Sequence, residues 1–264
     1  MTNFIHPTSI IDPQSQLGEN IRIGPFCVVG AHVQLGDGCE LKSHVVIDGR
    51  TKIGEGCVIY PFASLGAAPQ DLKYHGEPSE LIIGHHNTIR EYCTMNPGTE
   101  TGAMKTMVGS HGLFMMSTHV AHDCVIGDHV IMANNATLGG HVELGDHAII
   151  GGLAAVHQFV RIGHHAIIGG MSGVESDVIP YGRVKGDRAF LAGLNLIGLE
   201  RSGFDKTQIK TLQKAFEKLF DESGTLDERI ECVADEFAAE TSVAEIIQFA
   251  RSKKRFPLCS PPRK

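Results

Sequence analysis

Positive charge is in deficit in this 264-residue chain. Lys and Arg number 23 against 30 Asp and Glu, a formal net charge of −7, which argues against a general nucleic-acid binder. Long apolar runs are missing, and none approaches the roughly 18 residues of a membrane span. The first residues, 1–13, lack the basic and apolar regions of a signal peptide. Seven cysteines occur without any Cys-x-x-Cys spacing, so they are read as small core fillers in a reducing cytoplasm. There is no Walker motif, no Gly-x-Gly-x-x-Gly and no Gly-x-Ser-x-Gly, which leaves nucleotide-cradling loops and serine nucleophile elbows without a signature.

What is present is a beat of six. Aliphatic or similar large residues fall at Ile5, Ile11, Leu17, Ile23, Val29 and every sixth position to Leu65, again at Ile83, Ile89 and Met95, and then from Val108 to Val174. A period of six fits neither an α-helix nor a lone strand; it is the period of a solenoid of short strands and corners. Glycine follows 14 of these 26 positions, where chance would give about three. The residue two earlier is usually small, as at Cys27, Cys57, Cys93, Cys124, Ala136 and Ala148, so one large and one small side chain point inward per hexad. Each glycine is expected to supply a left-handed turn. Three hexads close an 18-residue triangular coil, and coils stack about 4.8 Å apart.

Two segments, 66–82 and 96–107, break the beat and read as excursion loops, places where function is often carried. The first keeps an 18-residue step from Leu65 to Ile83 but puts Asp71 and Glu77 in phase. After Pro180 the repeat stops. Asp205-x-x-Gln208, Thr225-x-x-Glu228 and Ser242-x-x-Glu245 are capping-box patterns, Ile209, Leu212, Phe216, Leu219 and Phe220 form an apolar stripe, and Gly224 is a stop signal. The expected organisation is therefore a β-prism over 1–186 and an α-helical domain over 187–264.

The 15 histidines sort by the coil. His111, His129, His147 and His165 lie 18 apart at corners and are read mainly as a solvated ladder; four stacked coils spread them too far for one metal ion. The second group differs. His122, Gly140 and Gln158 are also 18 apart, with His119, Asp123, His141 and His157 beside them. No serine or cysteine stands among these as a nucleophile. A histidine base acting on a substrate hydroxyl, oriented by Asp123 or by a backbone group, suits the group, and the Gly140 N–H is a natural oxyanion donor. Zinc hydration chemistry is a competing use, and a non-catalytic scaffold is another.

The segments IGPFCVVG, LKSHVVI, QDLKYHGEP, HVAHDCVIG, ANNATLGGHV, AIIGG, AVHQF and GLERSGF make the chain similar, over nearly its whole length, to the hexapeptide-repeat acyltransferases, and among them to those acting on UDP-N-acetylglucosamine. The resemblance implies a mainly β fold, a left-handed parallel β-helix followed by a small α-helical domain. It implies transfer of an (R)-3-hydroxyacyl group from acyl carrier protein to the sugar 3-hydroxyl of UDP-N-acetylglucosamine, the opening step of lipid A assembly, by a cytoplasmic homotrimer with sites between neighbouring prisms. No cofactor and no metal are implied; the phosphopantetheine arm arrives on the carrier.

By the same resemblance His122 is the general base, Asp123 its partner and Gly140 the oxyanion donor. His119, His141, His157 and Gln158 line the pocket; Gln70, Asp71 and Lys73 reach it from the first loop; Asn195 and Arg201 lie near the nucleotide, and Gly170 near the acyl tail. Asn96-Pro97 and Arg188 depart from the family pattern of His-Arg and His, which leaves acyl length open. An amine at the sugar 3-position is an alternative acceptor. Other hexapeptide transferases, N-acyl or CoA-dependent acetyl, remain rivals, although the N-acyltransferase of the pathway carries an N-terminal uridine-binding domain for which hexads starting at Ile5 leave no room. Lys206, Lys210, Lys214 and Lys218 recur every four residues and, with Arg183, Lys185 and Arg188, form a candidate patch for the acidic carrier, or merely a solvated helix face.

Overall fold

The computed structural model describes residues 2–252 and 255–262. Short parallel strands stack into sheets of eleven, nine and eight strands, which form the three faces of a prism. The chain visits the faces in rotation: Phe4–Ile5 lies on face one, Ile10–Ile11 on face two and Gln16–Leu17 on face three. Ile5 pairs with Ile23, and Ile126 with Leu144, so one turn of the coil is three hexads, as closure of a triangle requires. The hexad side chains point inward and are buried, Ile23, Ile47, Ile59 and Leu138 completely, with Cys27, Cys57 and Ala136 as their small partners. Complete burial of such an aliphatic side chain stabilises by about 1.5–3 kcal/mol.

Both excursions leave from the same edge, between faces two and three. Ile53 pairs with Ile83, so the coil between them is longer than a regular turn by two hexads. Ile83 pairs with Val108, so the next coil is longer by one hexad and one further residue. Ile83 thus stacks on Ile53 and not on Leu65. The loops are also shorter than expected, because Glu80–Ile83 and Lys105–Val108 are four-residue strands. Leu81 and Thr106 point into the core beside Thr51, so pairing begins there rather than at 83 and 108.

The glycines act differently from the expected left-handed turn. The left-handed φ falls three residues after the hexad position, on Asp123 (60°), His129 (57°), His141 (61°) and His147 (58°). The glycine right after the hexad residue is needed for contact. A Cβ on Gly36 would lie 2.6 Å from Glu55 N, and one on Gly145 2.4 Å from His164 N, so rungs could not stack at strand spacing with a side chain there. The edge between faces three and one carries the histidine ladder, with ring centroids 4.9, 4.7 and 4.6 Å apart from His111 through His165.

Face one runs on past residue 186. Gly182–Lys185 joins it in parallel and pairs antiparallel with Phe190–Leu194. Among the described residues four helices follow: α1 (Leu196–Arg201), α2 (Lys206–Leu219), α3 (Leu226–Glu236) and α4 (Thr241–Arg251). The Asp205 and Thr225 capping boxes form. The Ser242 box does not. α4 starts two residues earlier, at Thr241, without a side-chain cap, because the Glu245 carboxylate is taken by the Tyr181 hydroxyl and faces His164. α2 ends at Leu219 with Phe220 as its cap, ahead of Gly224, whose φ of 63° serves the following loop. Among the described residues no helix is long and apolar enough to cross a membrane.

The chain end returns to the prism. Asp177 N–H donates to Pro257 O and Cys259 N–H to Asp177 O, and the buried Asp177 carboxylate accepts from Arg161 at 2.7–2.9 Å.

Candidate active site

The edge that releases both excursions also carries His122, Asp123, Gly140, His141, His157 and Gln158. Three left-handed corner residues, Asp123, His141 and Phe159, stand one above another on it, with φ of 60°, 61° and 67°. The expected registry is present: His141 N–H donates to His122 O and Phe159 N–H to Gly140 O. A Cβ on Gly140 would fall 2.6 Å from His122 Cε1 and 2.7 Å from Nε2. The imidazole therefore lies directly against a bare stretch of backbone. Among the described residues the Gly140 N–H has no acceptor.

His122 Nδ1 is 2.9 Å from Asp123 Oδ2. The carboxylate is buried and engaged on every side, accepting from Thr99 N–H, Thr99 Oγ1 and Ala103 N–H at 2.6–3.2 Å. Asp123 N–H donates to Thr106 Oγ1. Gly102 packs so close that a Cβ would come within 2.2 Å of the Asp123 carboxyl carbon. The second excursion is thus a cage around this one carboxylate. Burial alone would push the Asp123 carboxyl up, but the bonds from His122 and Thr99 outweigh it and hold it below its ordinary range. It stays ionised, accepts from Nδ1–H and leaves Nε2 of His122 as the basic nitrogen.

The first excursion brings Asp71 Oδ2 to 4.0 Å from that Nε2. Asp71 is fixed in turn by the Lys73 N–H, while the Lys73 and Gln70 side chains are exposed. The loop base is tied by Asn96, whose Nδ2 donates to Ala67 O at 3.0 Å and Ala68 O at 3.4 Å. His141 meets His122 edge-on at 5.1 Å and stacks on Phe159 at 4.2 Å. His119 Nδ1 bonds Thr94 Oγ1 at 2.7 Å. Burial lowers the basicity of both flanking rings, with His122 adding to the effect. They are neutral polar groups at pH 7, suited to hydrogen bonding rather than to holding charge.

His157 is exposed and turns Nδ1 to Gln158 O; the Gln158 side chain is open on the same edge. Three expected site residues lie elsewhere on this chain. Gly170 is on the edge between faces one and two, exposed, where a Cβ would lie a tight 3.1 Å from Gly152 O. Asn195 caps α1 and donates to His165 O on the third edge, with Arg201 exposed in the last turn. Within one prism neither position meets His122. Of the proposed lysine row, Lys218 is paired with Glu236, and Arg188 is paired with Glu175; Lys206, Lys210 and Lys214 have no carboxylate partner among the described residues. Thr94, Thr99, Ala103, Thr106 and Phe159 were not expected at the site; Thr99 and Ala103, from the second excursion, lack any repeat that could have flagged them.

The donor atoms of His122, Asp123 and His141 lie within 4.8 Å of one another. Zinc bonds near 2.1 Å would draw three donors closer together than that. Asp123 would also have to give up the donors that hold it.

A three-faced hexapeptide prism bearing an oriented histidine base against a bare amide defines a hexapeptide-repeat transferase. Residues 14–49 match the family profile described as bacterial transferase hexapeptide, and residues 177–259 the one described as UDP N-acetylglucosamine O-acyltransferase, domain 2. The chain is 52% identical over 255 residues to the acyl-[acyl-carrier-protein]–UDP-N-acetylglucosamine O-acyltransferase of Rickettsia canadensis, covering 97% of both. It is 51% identical over 259 residues to that of Caulobacter vibrioides, covering 98% of both. The crystal structure of UDP-N-acetylglucosamine O-acyltransferase from Moraxella catarrhalis superposes with a TM-score of 0.94 at 42% identity, over 98% of this chain and 100% of that one. The chain belongs to the acyl-[acyl-carrier-protein]–UDP-N-acetylglucosamine O-acyltransferase family.

Proposed function

We propose that this protein transfers an (R)-3-hydroxyacyl group from acyl carrier protein to the 3-hydroxyl of UDP-N-acetylglucosamine, the first step of lipid A biosynthesis, in the cytoplasm. The observation that carries the mechanism is the contact of the His122 ring with Gly140 together with the Asp123 bond to Nδ1. Nε2 takes the proton from the sugar hydroxyl as its oxygen attacks the thioester carbonyl. The Gly140 N–H receives the developing oxyanion, which the absence of a Cβ lets approach. Asp123 balances the imidazolium that forms. Collapse of the tetrahedral intermediate expels the carrier thiolate, which takes the proton back from His122. No acyl-enzyme forms, because no nucleophilic side chain lies at the corner.

Asp71, 4.0 Å from Nε2, faces the side on which the acceptor sugar would sit, and His119, His141, His157, Gln158, Gln70 and Lys73 would line its binding groove. Gly170, Asn195 and Arg201 belong to other edges, so they complete the site only if a second prism packs its edge against the first. This is the reason to propose a homotrimer, with Gly170 leaving room for the acyl tail and Arg201 suited to phosphate. Catalysis is proposed to need no metal, since the Asp123 oxygens are already occupied. Lys206, Lys210 and Lys214 are the proposed carrier-docking row.

The test is transfer from carrier-linked hydroxyacyl chains of graded length to UDP-N-acetylglucosamine, with a 3-amino sugar in parallel. His122→Ala is expected to lower kcat about 10²–10⁴-fold without changing particle size. Absence of transfer by folded wild-type protein with every chain length would reject the reading. About one zinc per chain, lost together with activity, would favour a metal hydrolase or hydratase instead.

A further inference from the structure

The corner column that begins at the catalytic pair rises as Asp123, His141 and Phe159, each one coil above the last. The next member is Asp177, which does not stand on the edge. It turns inward, fully buried, to hold Arg161. Its backbone pairs with the returning chain end on both sides, donating to Pro257 O and accepting from the Cys259 N–H. That tail puts a different side chain at the vacated level. The Arg255 guanidinium carbon sits 4.1 Å over the Phe159 ring, and Phe159 lies nearly parallel to His141, at 4.2 Å and 4°. Phe256 braces His157 edge-on at 5.5 Å, so the tail reaches both sides of the column.

Arg255 is exposed, and among the described residues it has no carboxylate partner. Its neighbours in kind are spoken for: Arg161 by Asp177, Arg188 by Glu175 and Arg251 by Glu231. A guanidinium seated over an aromatic face and free of a carboxylate partner has donors left to offer, and its planar fork matches a phosphate. It stands three rungs, roughly 14 Å, above the Asp123 rung and two rungs, roughly 10 Å, above that of Gly140, against which the reacting groups meet. The latter is about the reach from a reacting hydroxyl, across one sugar ring, to a phosphate on the anomeric carbon. We propose that Arg255 is a substrate-binding residue that grips a phosphate group of a bound substrate above the His122 corner.

The inference rests on the proposed acyl transfer for the identity of the substrates, and two of them carry phosphate: the diphosphate of the nucleotide sugar and the phosphodiester of the carrier's phosphopantetheine. Arg255→Ala and Arg255→Lys would be assayed with each substrate varied in turn. The alanine variant is expected to raise KM about 10–100-fold for one substrate, with kcat within about threefold. Lysine should restore only part of this, since an ammonium makes no planar fork. A rise confined to UDP-N-acetylglucosamine identifies the diphosphate, and one confined to the acyl carrier identifies the phosphodiester. Titration of wild type and variant with UDP and with phosphopantetheine reads the same contact without turnover. Weaker binding of either by the variant would therefore uphold the phosphate subsite even if no acyl transfer were found. Unchanged KM for both substrates and unchanged binding of both probes, in protein of unchanged size and melting temperature, would overturn it.

Discussion

Gly140→Ala probes the catalytic contact with one methyl group. The new Cβ would sit 2.6 Å from His122 Cε1, 2.7 Å from Nε2 and 3.2 Å from Nδ1. Carbon atoms in contact prefer about 3.5–4.0 Å, so the ring must retreat by roughly 1 Å. It cannot do so freely: Nδ1 is held at 2.9 Å by Asp123, and Asp123 is held by the second excursion. Either the Nδ1 bond stretches or the base leaves the acceptor hydroxyl. A displacement of about 1 Å at a reacting group can lower the rate about 10²-fold, and the methyl also obstructs the path of the oxyanion to the amide. Stability should hardly move, because Gly140 is not in a left-handed conformation and its N–H keeps its place. Gly152 is the control. It occupies the same hexad position on another edge, where a Cβ would meet Asn134 O at 3.3 Å. The assay is steady-state transfer with both substrates saturating, beside thermal unfolding. Gly140→Ala should lose about 10²-fold in kcat with a melting temperature near wild type, and Gly152→Ala should lose almost nothing. Equal kcat in the two variants would refute the assignment of this corner as the reaction centre.

Asp123→Asn should lower kcat by at least 10²-fold, because an amide can no longer accept from Nδ1, Thr99 N–H and Ala103 N–H together. It should also destabilise by about 2–4 kcal/mol near neutral pH. The folded carboxyl is held below its unfolded value, so its contribution is present above about pH 4 and is lost as pH falls through the lowered folded value. The gap between wild type and variant in urea melts should therefore close in acid, and a gap that persists there would contradict the account. Asn96→Ala frees the base of the first excursion by removing the bonds to Ala67 O and Ala68 O; about a tenfold fall in kcat is expected, and it should not add to that of Asp71→Ala in a double-mutant cycle. Lys206→Glu with Lys210→Glu and Lys214→Glu should raise KM for the acyl carrier and flatten its salt dependence, leaving KM for the nucleotide sugar alone; equal changes in both would remove the row as a docking surface. Gly170→Met should shorten the preferred acyl chain by several methylenes, read from competition between carrier-linked chains.

The repeat was legible because its signal is redundant: each rung repeats the same large and small pair, and three-hexad registry follows from closing the triangle. That registry alone puts His122 next to Gly140, as the structure has them. Legibility ended where one residue serves two purposes. A glycine after Ile or Leu looks like a turn residue, yet Gly36 and Gly145 are required for backbone contact, and the strained corner passes to His, Asp and Phe. Ser242-x-x-Glu245 looks like a cap, yet Glu245 is drawn to Tyr181 across the interface with the prism. The cage around Asp123 uses Thr99 N–H and Ala103 N–H, backbone groups that every residue has and no motif announces.

The position of both excursions sets this edge apart as the proposed reaction centre. A regular corner leaves its side chains largely open to water, as His111, His129 and His147 on another edge show. The two insertions enter consecutive coils at a single edge, immediately below His122. One folds upward to bury and ionise the carboxylate, and the other brings Asp71 over the free nitrogen. The prism supplies stacking precise enough to aim an imidazole at a bare amide, while the loops supply the enclosure that a flat-sided solenoid lacks. Moving either insertion by one hexad would transfer it to a neighbouring edge, away from His122. The proposed catalytic corner is thus defined by where the repeat is interrupted as much as by the histidines that the repeat carries.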